Sequence, residues 1–314
     1  MSSTYKVLVI GAGELGIQVL RCLVYHPRSA EVAVLLRPAS LTSTNPSQKK
    51  KADTLRQWGI QFVAGDIVAD SEQTLTAVFA GYDLVIGCTG FVSGKGTQLK
   101  QTRAVLAAGI PRYIPWQFGV DYDAIGRGSP QDVFDEQLDV RELLRSQSKT
   151  RWAIVSTGMF TSFLFEPSFG VVDLKEATVC ALGSLENRVT VTTPEDIGRF
   201  TAEIVLGHDS EALFAGQPIF VGGDTLNYEE VAQIVEKVTQ MPIRRTVFST
   251  TDAIAALAED PDNSQLKYQA VFGQGRGVAW ELSATWNWQR ALRATTAEQW
   301  ALENLTEASS LSIA

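Results

Sequence analysis

Residues 6–16 read KVLVIGAGELG, and this stretch decides the fold. The apolar, β-branched run Lys6–Ile10 predicts a buried strand, and the spacing of apolar residues predicts a helix over Glu14–Tyr25. Between them, Gly11, Gly13 and Gly16 form a GxGxxG pattern. This pattern alone is a weak signal, but one that follows a strand and opens a helix is typical of a dinucleotide-binding loop.

Each glycine of this loop has its own predicted task. Gly11 allows the tight turn, Gly13 lets the backbone approach a pyrophosphate, and Gly16 lets the helix pack closely on the strand. The helix N-terminus adds free N–H groups and a positive dipole for the phosphates. The alternative is a glycine-rich turn without a ligand. The residues predicted to hold the phosphates are Gly11, Gly13, Glu14, Leu15 and Gly16.

Strands and helices alternate through the first half of the chain. The further strands predicted there are Glu31–Leu36, Gln61–Ala64, Asp83–Gly87, Arg112–Pro115 and Arg151–Val155. Apolar strands separated by helices indicate a parallel sheet that is covered on both faces. We therefore predict an α/β protein. A Rossmann-type doubly wound parallel sheet occupies residues 1–155, and a smaller C-terminal α/β lobe, residues 156–314, covers the substrate.

The end of the second strand indicates which dinucleotide is bound. An acidic residue there would bond the ribose 2′-hydroxyl of NAD, but the sequence reads Leu35-Leu36-Arg37. The planar guanidinium of Arg37 suits the 2′-phosphate of NADPH. The alternative is a solvated arginine at a strand end. Ser40, Thr42 or the run Lys49-Lys50-Lys51 could add contacts to the phosphate.

Two later strand ends reach the same edge of the sheet, where ligands bind. Asp66 and Ile67 follow the third strand and could border an adenine, although Asp66 could equally serve as a loop cap. Thr89, Gly90 and Phe91 follow the fourth strand. We predict that these five residues contact the cofactor.

Composition excludes several classes of function. The formal net charge of −8 disfavours nucleic acid as a partner. Three scattered cysteines without a CxxC pair and two histidines without metal-type spacing argue against a disulfide framework or a metal site. The N-terminus does not resemble a signal peptide, and apolar stretches of spanning length are missing. We expect a cytoplasmic protein without a membrane partner, and the sequence leaves a homodimer open.

Several motifs follow one another in a familiar order. After GxGxxG and Arg37 come GDI (65–67), AAGIPRYIPWQFGVD (107–121), FDEQLDVRELL (134–144) and VSTGMF (155–160). This succession resembles the isoflavone reductase-like, or NmrA-like, branch of atypical short-chain dehydrogenases. The resemblance implies an NADPH-dependent reductase that acts on C=C, C=N or related bonds of small metabolites. It also implies an alternative, a redox sensor or regulator that binds NADP(H) without catalysis.

The chain departs from this family where protons are handled. Gln137 stands at the position of the family's lysine, and Trp116-Gln117 replaces the Ser-Glu of its PSEFG motif. Gly158 occupies the place of the asparagine near the nicotinamide. The resemblance thus places Gln117 and Gly158 beside the cofactor and Gln137 beside the reacting bond.

Three hypotheses remain for the chemistry. The substrate is already cationic, as an iminium is, so that hydride addition needs no general acid, and Asp121, Asp123 or Glu166 would favour the cation. Alternatively, another group supplies the proton, with Tyr122 the leading tyrosine, or the protein is a sensor without chemistry. An iminium reductase is favoured. The catalytic candidates are accordingly Gln137, Tyr122 and Asp121.

An aromatic stretch, GMFTSFLFEPSFGVV (158–172), follows the sixth strand. Some of its phenylalanines belong to the core, but the position at a strand's carboxyl end also suits a pocket wall. We predict that Phe160, Phe163 and Glu166 contact the substrate.

Overall fold

The computed structural model describes residues 5–311 of the chain. Its strands are β1 (Lys6–Ile10), β2 (Glu31–Leu36), β3 (Gln61–Ala64), β4 (Leu84–Gly87), β5 (Arg112–Ile114), β6 (Arg151–Trp152), β7 (Ile154–Ser156), β8 (Met159–Phe160), β9 (Val172–Asp173), β10 (Thr178–Leu182), β11 (Arg188–Thr192), β12 (Pro218–Phe220), β13 (Asp224–Asn227) and β14 (Arg244–Phe248). Its α-helices are α1 (Glu14–Val24), α2 (Pro38–Leu41), α3 (Pro46–Gln57), α4 (Glu72–Phe79), α5 (Thr97–Ala107), α6 (Tyr122–Ile125), α7 (Val133–Arg145), α8 (Thr161–Leu164), α9 (Pro194–Leu206), α10 (Ser210–Leu213), α11 (Tyr228–Thr239), α12 (Thr250–Glu259), α13 (Ser264–Gly273), α14 (Trp286–Gln289) and α15 (Ala297–Leu311).

The chain divides into two compact units that are not consecutive halves. The first unit contains the chain up to Gln117 together with Glu136–Val155 and Ile197–Ile219. The second contains Phe118–Asp135, Ser156–Asp196 and the chain from Phe220 onward. The predicted boundary after residue 155 is therefore one of several points where the chain passes between units. Helices α7 and α9 each begin in the second unit and end in the first.

The first unit is built on a six-stranded sheet in the order β3-β2-β1-β4-β5-β6. All five pairings are parallel. The chain proceeds outward from β1 to β3, returns to the centre, and proceeds outward again from β4 to β6. This reversal beside β1 defines the doubly wound Rossmann topology, and the predicted fold class is confirmed.

Strand β1 is the centre of this sheet. Val9 lies opposite Val34 of β2 on one side and opposite Ile86 of β4 on the other. The side chains of residues 7–10 are fully buried. An inner strand of a parallel sheet has helices over both faces, which is why its sequence is continuously apolar rather than alternating.

Helices cover the sheet with apolar side chains. Helix α1 contacts β1 and β2 and buries Val19, Leu20 and Leu23. A separate core cluster contains side chains of α4, α5 and α7 together with strand residues, namely Leu8, Ile10, Leu75, Phe79, Val85, Ala104, Val105, Tyr113, Val140 and Leu144. Each such leucine or phenylalanine contributes about 1.5–3 kcal/mol by leaving water.

The second unit contains two small mixed sheets. In one, β10 pairs with β14 in parallel and with β9 antiparallel. In the other, β11 pairs with β13 antiparallel and with β8 in parallel. Within residues 5–311, no helix has both the length and the hydropathy that crossing a membrane requires.

The structure differs from the sequence-based elements mainly in short pieces. The predicted strand Arg151–Val155 is split, because β6 pairs with β5 whereas β7 pairs with β12. The polar segment after Arg37, in which the sequence predicts no strand, contains the short helix α2, which begins at a proline. Strands β8 and β9 have two residues each, too few to show a period of two.

Replacing Gly16 by alanine should destabilise the first unit. A Cβ there would lie 2.3 Å from the carbonyl oxygen of Gly11, a distance that forces the backbone apart. Gly→Ala at a compatible position inside a helix normally stabilises a protein. A fall in Tm by several degrees, with a loss of about 1–3 kcal/mol in the free energy of unfolding, would therefore indicate this clash. The control is Gly13→Ala, whose Cβ would meet no atom within 4 Å. An unchanged Tm for Gly16→Ala would contradict this account of the helix–strand contact.

Candidate functional site

A cleft of about 460 Å³ opens at the carboxyl ends of β1 to β4 in the first unit. Parallel strands place their carboxyl ends at one edge, and the topological reversal separates the loops there. Six predicted cofactor residues line this cleft: Gly11, Gly13, Arg37, Asp66, Ile67 and Thr89. The structure thus brings together residues that are up to 78 positions apart in the sequence.

The glycine loop forms one wall of the cleft. Gly11 has a φ of +93°, a conformation that favours glycine, and its N–H donates to the carbonyl oxygen of Leu35 at 3.1 Å. Gly13 is the N-cap of α1 with an extended backbone. Because a Cβ on Gly13 would meet nothing within 4 Å, the fold itself does not require glycine there. The space beside Gly13 is therefore available to a ligand.

At the N-terminus of α1, the N-cap Gly13 lines the cleft, whereas Glu14, Leu15 and Gly16 do not line it. The first intrahelical bond runs from the N–H of Ile17 to the carbonyl oxygen of Gly13 at 3.0 Å. The preceding N–H groups have no acceptor within the helix. Leu15 is 3% exposed and Gly16 is buried, whereas Glu14 is exposed. Leu15 and Gly16 can therefore serve an anion only through their N–H groups.

Arg37 lies at the rim of the cleft, immediately after β2. It is the N-cap residue of α2, and its side chain is exposed. Among residues 5–311 its guanidinium has no ion-pair partner, so its fork of donors is available to an anion. Ser40 lines the same cleft, while Thr42 and Lys49 line a smaller neighbouring cleft of about 300 Å³.

Lys51 is the member of the lysine run that faces the glycine loop. Its Nζ donates to the carbonyl oxygen of Ala12 at 3.1 Å. Gln48, Lys51, Ala52 and Leu55 all line the cleft, and they follow one another at the i, i+3, i+4, i+7 spacing of one helix face. Sequence reasoning did not single out Lys51 from its neighbours, although this periodicity around buried Leu55 could have done so.

Asp66 lines the cleft, but its carboxylate is engaged in the loop. The Oδ1 atom accepts from the N–H groups of Val68 at 2.9 Å and Ala69 at 3.2 Å. The side chain of Asp66 therefore caps its own loop, which is the alternative that the sequence left open for it. Ile67, only 5% exposed, presents an apolar surface to the cleft.

The loop after β4 forms the opposite wall of the cleft. Thr89 and Ser93 line it, and the Oγ1 of Thr89 is buried without a hydrogen-bond partner in the described part of the chain. A buried orphan hydroxyl costs about 1–3 kcal/mol unless something bonds to it. Burial raises the pKa of the neighbouring Cys88 thiol, which therefore stays protonated.

Gly90 and Phe91 do not line the cleft directly. Gly90 has a φ of +67°, and its carbonyl oxygen accepts from the Nε2 of Gln98 at 2.9 Å. The ring of Phe91 meets the indole of Trp116 edge to face, with centroids 4.5 Å apart. Trp116, at the position where the resemblance implies a serine, thus packs against the loop that forms the wall.

Gln117 and Gln137 lie next to each other in the first unit. The Nε2 of Gln117 donates to the backbone carbonyl of Gln137 at 2.9 Å, and its Oε1 accepts from the Nε of Arg141 at 2.7 Å. The side-chain amide of Gln117 is therefore committed to α7. In contrast, both amide atoms of Gln137 are buried without a hydrogen-bond partner among residues 5–311.

Tyr122 and Asp121 lie in the second unit. Tyr122 is 2% exposed, its ring meets Phe134 edge to face at 5.0 Å, and its hydroxyl lies at Gly119. Asp121 caps α6, because its Oδ1 accepts from the N–H of Ala124 at 3.3 Å. Asp123 is exposed. The Asp121 carboxylate thus has a structural task of its own.

Gly158 is required by packing within the second unit. Its φ is +72°, and a Cβ would lie 2.1 Å from the carbonyl oxygen of Thr190. Its N–H donates to the carbonyl oxygen of Gly119 at 3.0 Å. An asparagine could not adopt this backbone without displacing β11.

The aromatic stretch is partly core and partly surface. Phe165 stacks on Trp300 and Phe169 is buried, whereas Phe160 and Phe163 are half-buried. Phe163 lies beside the ring of Tyr268, with centroids 6.0 Å apart. Glu166 is exposed, and the hydroxyl of Ser168 donates to its Oε1 at 3.4 Å.

Comparison with known proteins agrees with this architecture. A model described as the NmrA-like family matches residues 3–289. An NmrA-like family domain-containing oxidoreductase from Gibberella moniliformis is 44% identical over 293 residues, which cover 92% of this chain and 95% of that protein. These two matches concern most of the chain.

Solved structures match over nearly the whole length. An isoflavone reductase superposes with a TM-score of 0.78 at 20% identity, covering 96% of this chain and 100% of that one. The binary complex of leucoanthocyanidin reductase with NADPH, from Vitis vinifera, gives a TM-score of 0.73 at 21% identity, with 98% and 99% covered. At such identities the structures are evidence for the fold.

Gly13→Val should remove dinucleotide binding and leave the fold intact. A Cβ at this position would meet no protein atom within 4 Å, but the branched side chain would occupy the space where a pyrophosphate approaches the backbone. We expect an unchanged Tm and a loss of binding of at least tenfold, measured by titration of intrinsic fluorescence with NADPH. A folded variant that binds NADPH normally would remove the phosphate-loop assignment.

Proposed function

The chain belongs to the NmrA-like family, and from this premise we propose that it is an NADPH-dependent reductase. It transfers a hydride to a small metabolite, with an iminium C=N bond favoured over C=C or C=O. The oxidoreductase name of the 44% identical relative supports the class of reaction. The observation that carries the proposal is the cleft, which combines a glycine loop, the cations Arg37 and Lys51, and the Thr89 hydroxyl, which lacks a partner among the described residues.

The residues of the cleft fit a phosphorylated dinucleotide. Gly13 leaves room for a pyrophosphate beside the N-terminus of α1, and the Oγ1 of Thr89 lacks a partner that a ligand could supply. Arg37 and Lys51 place two cations around the cleft. When bound, NADPH would supply the hydride, and these residues would hold and orient it.

The cations support NADPH over NADH. Asp66 lines the cleft, but its carboxylate is turned to the N–H groups of its own loop. Arg37 follows β2, at the position from which a side chain reaches the ribose 2′ substituent. Its guanidinium can bond a phosphate in two places, whereas a 2′-hydroxyl offers much less to a cation.

Gln137 supports a substrate that already carries positive charge. Reduction of a carbonyl requires a proton as well as a hydride, and a positioned acid accelerates such a step about 10²–10⁴-fold. A carboxamide cannot supply that proton. Addition of a hydride to an iminium carbon gives a neutral amine, so no proton is needed. The buried amide of Gln137 could accept from an iminium N–H through Oε1 without repelling the cation.

The absence of a lysine at position 137 also favours a second candidate. A regulator that binds NADP(H) without turnover would keep the cofactor cleft and dispense with a proton donor. We propose for either case a cytoplasmic protein whose partner is a small molecule. The three scattered cysteines and the net charge of −8 support that environment and that partner.

The first test is the choice of cofactor. Wild-type protein should bind NADPH at least tenfold more tightly than NADH, a gap of about 1.4 kcal/mol. Arg37→Ala should reduce that ratio by weakening NADPH alone, measured by calorimetric titration with both dinucleotides. Lys50→Ala is the control, because Lys50 is an exposed neighbour in the lysine run that does not line the cleft. Equal affinities in the wild type would show that the assignment of Arg37 is wrong.

The second test concerns turnover and Gln137. Wild-type protein should consume NADPH with a cyclic iminium. Gln137→Lys should lower kcat/KM on that substrate, because two like charges about 4 Å apart repel by about 4 kcal/mol at an effective dielectric of 20. Gln137→Met, similar in size and uncharged, should cost less. Folding of both variants is followed by Tm.

The outcomes separate the hypotheses. A higher kcat/KM with Gln137→Lys would overturn the iminium assignment and indicate a decayed carbonyl or enone reductase. A wild-type protein that binds NADPH but oxidises it with no iminium, enone or quinone acceptor would favour the regulator.

A further inference from the structure

The N-terminus of α5 is capped by a side chain from a distant part of the chain. The N-cap residue of α5 is Gly96, which has no side chain to satisfy the free N–H groups of the first turn. The Oε2 of Glu136 accepts from the N–H of Gly96 at 2.8 Å. Its Oε1 accepts from the N–H groups of Gln98 at 2.8 Å and Leu99 at 3.0 Å. One carboxylate thus satisfies three donors from 40 residues away.

This first turn of α5 in turn holds the loop that forms a wall of the cofactor cleft. The Nε2 of Gln98 donates to the carbonyl oxygen of Gly90 at 2.9 Å, and the Oγ1 of Thr97 donates to that of Ser93 at 2.8 Å. The loop carries Thr89 and Ser93, which line the cleft. Its glycines at 90, 94 and 96 all have positive φ, so its backbone has few steric restraints of its own.

The other side of this contact is anchored. Glu136 belongs to α7, and the next residue, Gln137, has its backbone carbonyl bonded by the side chain of Gln117. The side chain of Gln117 also accepts from Arg141, one turn further along α7. Glu136 therefore projects from a helix that is fixed to the end of β5.

We propose that Glu136 is a positioning residue for the cofactor, which acts by holding the 89–96 loop through the N-terminus of α5. The negative charge at a helix N-terminus and the charged acceptor make these bonds stronger than neutral ones. Because the bonds from Gln117 remain when Glu136 is removed, the position of Gln137 should be retained. The proposal rests on the proposed NADPH function.

The test compares Glu136→Ala and Glu136→Gln with the wild type. Without ligand, Glu136→Ala should accelerate amide hydrogen exchange at Gly96, Gln98 and Leu99 and across the 89–96 loop. Its Kd for NADPH should rise at least tenfold, and added NADPH should restore part of the protection. With a substrate that is turned over, KM for NADPH should rise while kcat at saturating NADPH stays near the wild-type value. Glu136→Gln keeps the Oε1 acceptor, so its exchange rates and its Kd for NADPH should lie between those of the wild type and those of Glu136→Ala.

The matched control is Asn227→Ala. Asn227 caps α11 in the second unit, where its Oδ1 accepts from the N–H of Glu230 at 2.8 Å. This variant also loses a side-chain acceptor at a helix N-terminus, in this case a local and neutral one, and it should have a lower Tm and an unchanged Kd for NADPH.

The proposal would be overturned if Glu136→Ala had the same amide hydrogen exchange and the same Kd for NADPH as the wild type. It would also be overturned if Asn227→Ala raised the Kd for NADPH as much as Glu136→Ala does. If the wild type fails to bind NADPH, the proposed function fails. Amide hydrogen exchange in the ligand-free variants would then still show whether Glu136 orders the 89–96 loop.

Discussion

The close approach of helix α1 to strand β1 is the constraint on which the proposed cofactor cleft depends. A Cβ on Gly16 would lie 2.3 Å from the carbonyl oxygen of Gly11 and 3.3 Å from the Cβ of Cys88. Only glycine allows α1 to begin this close to the end of β1 and the end of β4. That placement directs the N-terminus of α1 into the space enclosed by the strand ends, where its N–H groups can meet an anion.

Below the cleft wall, polar groups are buried and mostly paired with each other. The hydroxyl of Tyr113 accepts from the Nε2 of Gln101 at 2.9 Å, and burial raises the pKa of Tyr113 to about 12, so it stays protonated. The side chain of Gln98 donates to the carbonyl oxygen of Gly90, and that of Gln117 donates to a backbone carbonyl of α7. Because a buried polar group costs free energy unless it is bonded, this network restricts the loops to one arrangement. Among the described residues of this region, the Thr89 hydroxyl, the Oε1 of Gln101 and the side-chain amide of Gln137 are buried without a partner. Of these three residues, Thr89 lines the cleft, where a ligand could bond its hydroxyl.

Two departures from the related family lie close together in this region. Trp116 packs against Gly90 and Phe91, and its neighbour Gln117 bonds the backbone of Gln137. A serine-to-tryptophan change adds volume, and a lysine-to-glutamine change removes a charge. The cleft is lined by the cations Arg37 and Lys51, whereas Gln137, where the resemblance implies a lysine, is neutral.

The sequence by itself determined the Rossmann topology and most of the cleft. A continuous apolar strand, GxGxxG and Arg37 are local patterns, and the strand order follows from alternating elements. Only the tertiary structure decided that the Nζ of Lys51 bonds the carbonyl oxygen of Ala12, and that Gly158 is required by the carbonyl of Thr190. It alone joined Glu136 to the start of α5. These pairs are separated by up to 40 residues, and a side chain's partner across such a distance depends on packing, which no local periodicity encodes.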